Sequence, residues 1–430
     1  MEKFAVIVVG GGPAGLAATY LLAKAGVSVA VIERGDFAGS KNVMGGVLYR
    51  QPTEEVFGQF WKEAPLERPI VEQNYWVLTE EGALKGGFRS QVFGREPFNC
   101  FSVFRARFDK WMAEKARQAG ALIITETAVE EVLRENGRIC GVRTGRPDGD
   151  LACDVVVAAD GVNSLLAKNA GLHREWRPNE VAVAVKEIIA LPREEIEKRF
   201  NLNPGEGATI ELFGEATSGL LGTAFIYTNR DSLSVGVGAM CSDLLESEMS
   251  PNDLLEHLKS HPAVAPLLEG GEVREYLAHL IPEGGLNTMP ALYTDGMVVV
   301  GDAAGLVNSL HREGSNLAIT SGKCAAEAIL RAIEWKDFSA RSLARYEQLL
   351  RETYVIRDLE KYRRSPHFFD THREIFTLYP EIGQRAAETW LTVDSVSKKE
   401  KQRQILRHFL GRRPLWKLLG DAWAAWRSLY

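Results

Sequence analysis

The residues with the clearest chemical purpose come first in the chain. Gly10-Gly11-Gly12-Pro13-Ala14-Gly15 separates an apolar run, Phe4 to Val9, from an Ala- and Leu-rich stretch, Leu16 to Ala25. In a G-x-G-x-x-G turn Gly10 allows the sharp reversal, Gly12 lets a pyrophosphate reach the backbone, and Gly15 lets the helix pack closely on the strand. Pro13 and Ala14 belong to that turn, ahead of the helix whose N-terminal N–H groups attract phosphate. Glu33 lies eighteen positions after Gly15, with Arg34 beside it, at the end of a second apolar run, Val27 to Ile32. A carboxylate there can accept both hydroxyls of an adenosine ribose. Asp160-Gly161, with Ser164 following, ends the run Asp154 to Ala159, and Gly301-Asp302 ends Gly296 to Val300. Asp302 suits a chain of sugar-alcohol hydroxyls. Gly314-Ser315-Asn316 opens a helix whose unpaired N–H groups would face an electron-rich atom. Three contacts so separated imply an extended dinucleotide. A loop containing Asn42, Gly45 and Gly46 follows the second strand and is expected to approach the same ligand.

These residues need elements to hold them. The first two apolar runs with the helix between them read as strand–helix–strand, and Arg105 to about Gln118 reads as a helix stopped by Gly120. Leu122 to Thr125 is expected as a strand, and Val129 to Leu133 as one arm of a hairpin that turns at Asn136-Gly137 and layers over the nucleotide domain. Val181 to Ile189, Ala208 to Phe213, Leu220 to Thr228 and Ser232 to Met240 alternate as strands of an antiparallel meander. Residues 47–100 are less regular, with short strands at Tyr75 to Leu78 and Arg89 to Phe93. Beyond Lys336 the chain reads as helical, with Ser339 to Arg357 as one amphipathic segment. In the last helix, Leu415 to Tyr430, residues Trp416, Leu419, Trp423, Trp426 and Tyr430 recur every three or four positions beside Arg412, Arg413, Lys417 and Arg427.

The fold class implied is α/β, with a discontinuous nucleotide-binding domain (1–75, 100–175, 285–335), an antiparallel-sheet substrate domain (76–99, 176–284) and a helical C-terminal region (336–430). With 430 residues, 45% hydrophobic and 25% charged content and a net charge of -6, a general nucleic-acid binder is not expected. No apolar run approaches the roughly 20 residues of a bilayer crossing. The first strand starts at once, so no signal peptide is expected and a cytoplasmic location follows. Cys100, Cys140, Cys153, Cys241 and Cys324 show no C-x-x-C spacing, so neither zinc nor an iron–sulfur cluster is expected on this chain.

Gly10 to Gly15 with Glu33, the Arg105/Asp109 helix, Asp160-Gly161 and Gly301-Asp302 resemble the FAD-binding fold of the glutathione-reductase-like superfamily, in its p-hydroxybenzoate-hydroxylase-like branch. Within it, Lys41 to Gly46, Phe225 to Ser234 and Gly301 to Gly305 resemble the FixC proteins, relatives of electron-transfer-flavoprotein:quinone oxidoreductase. The resemblance implies an FAD-dependent oxidoreductase that moves electrons from an electron-transfer flavoprotein to a quinone. Gly10, Gly12, Ala14, Gly15 and Glu33 would hold the ADP half with Arg105 and Val129 flanking it. Asp302 would hold the ribityl chain, with Gly314, Ser315 and Asn316 near the ring. Mitochondrial-type members carry a cysteine-ligated four-iron cluster near the C-terminus, and this chain has no cysteine after Cys324. The resemblance therefore implies a complex with a small ferredoxin-like subunit, peripheral on the inner face of the cell membrane, with electron bifurcation among its possible activities. The same signals fit a geranylgeranyl-type prenyl reductase, an aromatic hydroxylase or a non-catalytic flavin-bound assembly subunit. No residue is assigned a catalytic role; His311 and Arg312 read equally as contacts to substrate or flavin and as ordinary loop residues.

Overall fold

A computed structural model describes residues 2–41 and 46–430. The chain divides into two compact units: Met1–Pro69, Pro97–Val181 and His279–Glu360 form the first, and Ile70–Glu96, Ala182–Ala278 and Lys361–Tyr430 the second.

The first unit is built on a mainly parallel sheet. Its strands run in the order Tyr293–Thr294, Met297–Val299, Asp150–Ala158, Glu2–Val9, Val29–Ile32 and Leu122–Ile124. Val6 aligns with Val155 on one side and with Val29 on the other, both parallel. Val6 to Val8, Val29 to Ile32 and Val155 to Ala158 are all buried, the unbroken apolar signature of a sheet covered on both faces. From Glu2–Val9 the chain crosses through the helix Pro13–Lys24 to Val29–Ile32, while Asp150–Ala158 lies on the opposite side. This reversal opens a crevice at the carboxyl ends of the strands, where ligands bind in such sheets.

The helix Ser315–Trp335 packs on Pro13–Lys24 at a distance that only glycine permits. A Cβ on Gly322 would collide with the Ala14 carbonyl. The hairpin Val129–Glu135/Arg138–Thr144 does not form a separate layer: its second strand pairs with Asp150–Ala158 and extends the main sheet. Gly141 makes this possible, since a side chain there would strike the Leu151 carbonyl. Residues 340–360 pack on this unit, where the buried Tyr346 hydroxyl donates to Val299 O at 3.0 Å. The expected single helix at Ser339 to Arg357 is instead Ala340–Leu343, Arg345–Glu352 and Tyr354–Lys361. Thr353 makes the last break, its hydroxyl donating to Leu350 O and accepting from Val355 N.

The second unit contains a sheet in the order Val181–Ala190, Ser232–Met240, Gly222–Thr228, Gly207–Gly214 and Leu66–Leu78, with Ala83–Arg89 pairing to the last. The four strands expected of the meander occur, but a meander does not, and the strand expected at Arg89 to Phe93 is instead Ala83–Arg89 followed by a turn. The chain leaves Val181–Ala190 through the helix Arg193–Arg199, and Gly207–Gly214 then pairs in parallel with Leu66–Leu78, a strand much longer than the short one expected there. Glu272–Pro282 is a further strand, at the edge next to Val181–Ala190. Asn229 closes the hairpin, its amide bonding Ser232 and Ser234 hydroxyls at 3.2 and 3.0 Å. Val185, Ile210, Leu212, Ile226, Val235 and Val237 give one face its core.

Helices Ser365–Thr371, Leu378–Leu391, Lys398–Arg412 and Leu415–Leu429 end the chain. Arg413 fastens the last of them, donating to both carboxylate oxygens of Asp421 at 2.8 Å and to Glu374 at 2.7 Å. On that helix Trp416, Leu419, Trp423 and Trp426, and Tyr430 at its C-cap, are all more than half exposed.

Candidate functional site

Four strand ends of the first unit deliver the site. At the end of Glu2–Val9, Gly10 has φ +107, and a Cβ there would collide with the Ala159 carbonyl. Gly15 is equally confined, since a Cβ would strike the Gly10 carbonyl. Gly12 is the opposite case: nothing lies within 4 Å of its Cβ position. It is the N-cap of Pro13–Lys24, with no side-chain cap and no acid in the first turn. An uncapped helix end facing open space is a cradle for a bound anion.

Glu33 ends Val29–Ile32 and is buried. Its two carboxylate oxygens accept from the backbone N–H groups of Gly11 and Gly35, each at 2.7 Å. The carboxylate is thus aimed before any ligand arrives, and each oxygen keeps a lone pair. Arg34 is exposed. Backbone bonds from Glu33 N to Ile124 O and from Thr127 N to Glu33 O bring the chain just before Val129 alongside.

Asp160 follows the end of Asp150–Ala158. One carboxylate oxygen accepts from Leu166 N at 3.0 Å and the other is buried without a partner. Burial raises its pKa, against several backbone hydrogen bonds that lower it. Gly161 (φ +71) and Ser164 (φ +47) shape a turn in which the Ser164 hydroxyl donates to Ala303 O at 2.9 Å, tying this strand end to the next. There Gly301 (φ +61) donates its N–H to Ser321 Oγ at 3.0 Å, and its Cβ position lies 2.9 Å from Ala14 Cβ.

Asp302 stands beside this turn. Arg105 forks onto Asp109 at 2.8 and 2.9 Å and reaches Ser315 Oγ at 3.1 Å, joining Arg105–Gln118 to the start of Ser315–Trp335. Gly314 is the N-cap of that helix, again without a side-chain cap. Asn316 donates to Glu313 at 3.1 Å while its carbonyl oxygen is buried without a partner, as is the amide nitrogen of Asn308 nearby in sequence. Asn308 and Glu313 bridge backbone to backbone, with His311 and Arg312 at the turn between them. Gly46 accepts from Val103 N at 2.9 Å, two residues before Arg105, whereas Asn42 and Gly45 lie outside the described residues.

The residues expected to bind the ligand therefore fall in two groups, Gly10, Gly12, Pro13, Ala14, Gly15 and Glu33 around the first helix start, and Asp302, Arg105, Gly314, Ser315 and Asn316 around the second, with Asp160, Gly161 and Ser164 joining them. Two uncapped helix ends and three orphaned polar atoms fit an elongated ligand carrying an anionic centre, hydroxyls and a polar ring.

Two residues of the second group escape sequence reasoning, His279 and Glu283. Burial lowers the pKa of His279, opposed by the Asp302 charge and aided by Arg105 and Arg34. Asp302 is raised by burial against the pull of His279 and Arg105. Burial pushes Glu283 up to about 8, with Arg312 opposing and Asp302 adding. The signal available was Glu283-Gly284-Gly285, an acid before two glycines at the end of a strand.

Comparison with known proteins places this geometry. An FAD binding domain matches residues 3–194, and the ETF-QO/FixC family C-terminal domain matches 365–429. Protein FixC of Azotobacter vinelandii is 46% identical over 430 residues, covering 100% of this chain and 99% of that protein. FixC of Escherichia coli K12 is 40% identical over 410 residues, 95% of each. Among solved structures, a geranylgeranyl bacteriochlorophyll reductase-like protein from Thermoplasma acidophilum superposes with a TM-score of 0.74 at 22% identity, over 98% of this chain and 99% of that one. The myxobacterial halogenase CndH, a variant of FAD-dependent halogenases, gives 0.63 at 19% identity, over 96% and 91%. Both share the fold.

Proposed function

The chain belongs to the ETF-QO/FixC family and is an FAD-dependent oxidoreductase of electron transfer; from that premise we propose that it accepts electrons from an electron-transfer flavoprotein and passes them to a membrane quinone. The observation that carries the proposal is the full-length identity to FixC proteins, which spans both the FAD-binding region and the C-terminal helices.

FAD supplies the redox chemistry. The chain's part is to bind, orient and tune it. In this reading Gly12 and the start of Pro13–Lys24 take the pyrophosphate. Glu33 accepts the ribose hydroxyls, with Arg34 and Val129 at that end. Asp160, Gly161 and Ser164 support the middle, and Gly301 and Asp302 take the ribityl chain. Arg105 positions Ser315, and Gly314, Ser315 and Asn316 present the second helix start to the ring, with Gly46, Asn42 and Gly45 proposed as further contacts. Partial positive charge at that helix start favours extra electron density on the ring.

A small ferredoxin-like subunit would contribute the iron–sulfur cluster. Among the described residues no group of three His, Cys, Asp or Glu side chains is arranged to hold a metal. No described helix is long and apolar enough to cross a membrane. The aromatic face of Leu415–Leu429 with its flanking cations suits an anionic headgroup layer on the inner face of the cell membrane.

The test is stopped-flow absorbance of the FAD-loaded chain. Reduction by an electron-transfer flavoprotein followed by reoxidation with a quinone supports the proposal. Saturation of an isoprenoid double bond, or oxygen consumption with an aromatic substrate, would favour a prenyl reductase or hydroxylase. A bound flavin inert to all of these would mark an assembly subunit.

A further inference from the structure

Within the second unit the helices Leu378–Leu391 and Lys398–Arg412 form an antiparallel hairpin fastened at both ends. At its closed end the buried Lys401 donates to Thr392 O and pairs with Asp394 at 2.9 Å, while Lys398 donates to Trp390 O. At the other end Arg412 pairs with Glu381 at 2.5 Å. Matching Thr392 with Lys401 and Glu381 with Arg412 defines a single register, and in it Arg385 stands opposite His408 and Thr389 opposite Gln404. Arg385 and Thr389 are one turn apart on the first helix, Gln404 and His408 one turn apart on the second, so each pair shares a face. Together with Ala386 and Ile405 these four residues line a cavity of about 180 Å³. It has room for several waters or for one phosphate ester.

The donors around this cavity are not used within the protein. Nε2 of His408 is buried and has no hydrogen-bond partner. Arg385 and Gln404 are exposed at the rim, and among the described residues their side chains make no hydrogen bond or ion pair. The Thr389 hydroxyl is already engaged, donating to Arg385 O at 2.8 Å. The carboxylates of the hairpin are committed elsewhere: Glu381 to Arg412, Glu388 to the Gln384 amide at 2.6 Å, Asp394 to Lys401 and Glu400 to Arg407 at 3.0 Å. Residues 378–413 carry eight Lys and Arg against four Asp and Glu, in a chain whose net charge is -6. The seam is thus a local cationic region with an opening lined by idle donors.

We propose that this cavity binds the phosphate group of a phosphate ester. The planar fork of Arg385 matches two phosphate oxygens, the Gln404 amide supplies a neutral donor, and His408 supplies another with its proton on Nε2. The hairpin's closed end points to the source. Trp390, Leu391, Val393 and Val396 are exposed there, beside Lys398 and Lys399. An apolar tip backed by cations suits the boundary between acyl chains and headgroups, and Thr389 adjoins Trp390, so a tip at that boundary brings the cavity to headgroup level. The expected ligand is therefore the phosphate of an anionic lipid. The site shares no residue with the aromatic face of Leu415–Leu429 or with the residues assigned to FAD, and it stands or falls without either.

The test is equilibrium dialysis of the FAD-loaded full chain, in phosphate-free buffer, against inorganic phosphate and against dihexanoyl phosphatidylglycerol below its micelle concentration. Both should bind, the lipid more tightly. Arg385→Gln should weaken both by at least about 10-fold, the loss of a charged donor pair. Arg385 is exposed and unpaired, so this variant should melt with the wild type. His408→Leu should weaken both ligands as well. Arg407→Gln removes a cation of the same hairpin that already pairs with Glu400 and should leave binding unchanged. Inorganic phosphate bound as tightly as the lipid, and lost in Arg385→Gln, supports the site and assigns it to free phosphate. No binding of either ligand up to about 10 mM, or equal losses in Arg385→Gln and Arg407→Gln, overturns the proposal.

Discussion

Glu33 has one task visible in the structure and a second in the proposed function. It accepts from Gly11 N and Gly35 N, holding the phosphate turn to the second strand, and it is the acceptor assigned to the adenosine ribose. Glu33→Ala removes ribose bonds to a charged acceptor, worth about 1.5–3 kcal/mol, and strands two backbone donors as well. FAD affinity, titrated into the apoprotein by fluorescence, should fall by about 10- to 100-fold. Glu33→Gln keeps one oxygen acceptor and should lose less. At Glu283 the expectation concerns stability. Its folded pKa of about 8 lies above the ordinary value of 4.5, so the folded state binds more protons between those limits. Stability should therefore fall as pH rises through that window and level off above it. Glu283→Gln removes the dependence. Its melting temperature relative to wild type should be higher at pH 9 than at pH 5, by scanning calorimetry.

Among the elements, the helix pair Pro13–Lys24 and Ser315–Trp335 governs the site. Gly322 lets them meet, so Gly322→Val must push the helices apart or distort one. Overpacking of this kind typically costs about 1–3 kcal/mol. Thermal melts should show the loss, and gel filtration should show FAD released more readily than from wild type, because both helix starts move. The first strand, its glycine turn and Glu33 were legible in the sequence because apolar continuity and turn chemistry coincide there. The edge strand Glu272–Pro282 was not: it is largely exposed, and Glu272, Arg274 and Glu275 obscure any alternation. Its invisibility hid Glu283, which owes its character to burial and to Asp302 and Arg312, distant in sequence. The order of the second sheet was hidden for a related reason. Local pattern finds strands but cannot show that Gly207–Gly214 pairs with Leu66–Leu78 across more than a hundred residues.

For the whole molecule, the open question is how a lipid-soluble acceptor is reached. The last helix offers five exposed apolar side chains and is fastened by the Arg413–Asp421 fork. A chain truncated after Gly411 should lose flotation with vesicles containing anionic lipid, and wild-type flotation should weaken with added salt, since the cations are surface charges. Retained flotation with loss of a partner subunit would assign this face to docking instead. The Gly322 seam has a consequence of another kind. By fixing one helix start against the other it acts as a calliper, setting the span between the proposed phosphate cradle and the proposed ring end with a residue assigned no ligand contact. A molecule long enough to touch both jaws makes its second contact at high effective concentration. FMN or ADP fills one jaw only, and a mixture of the two should not compete with FAD, however well each half fits.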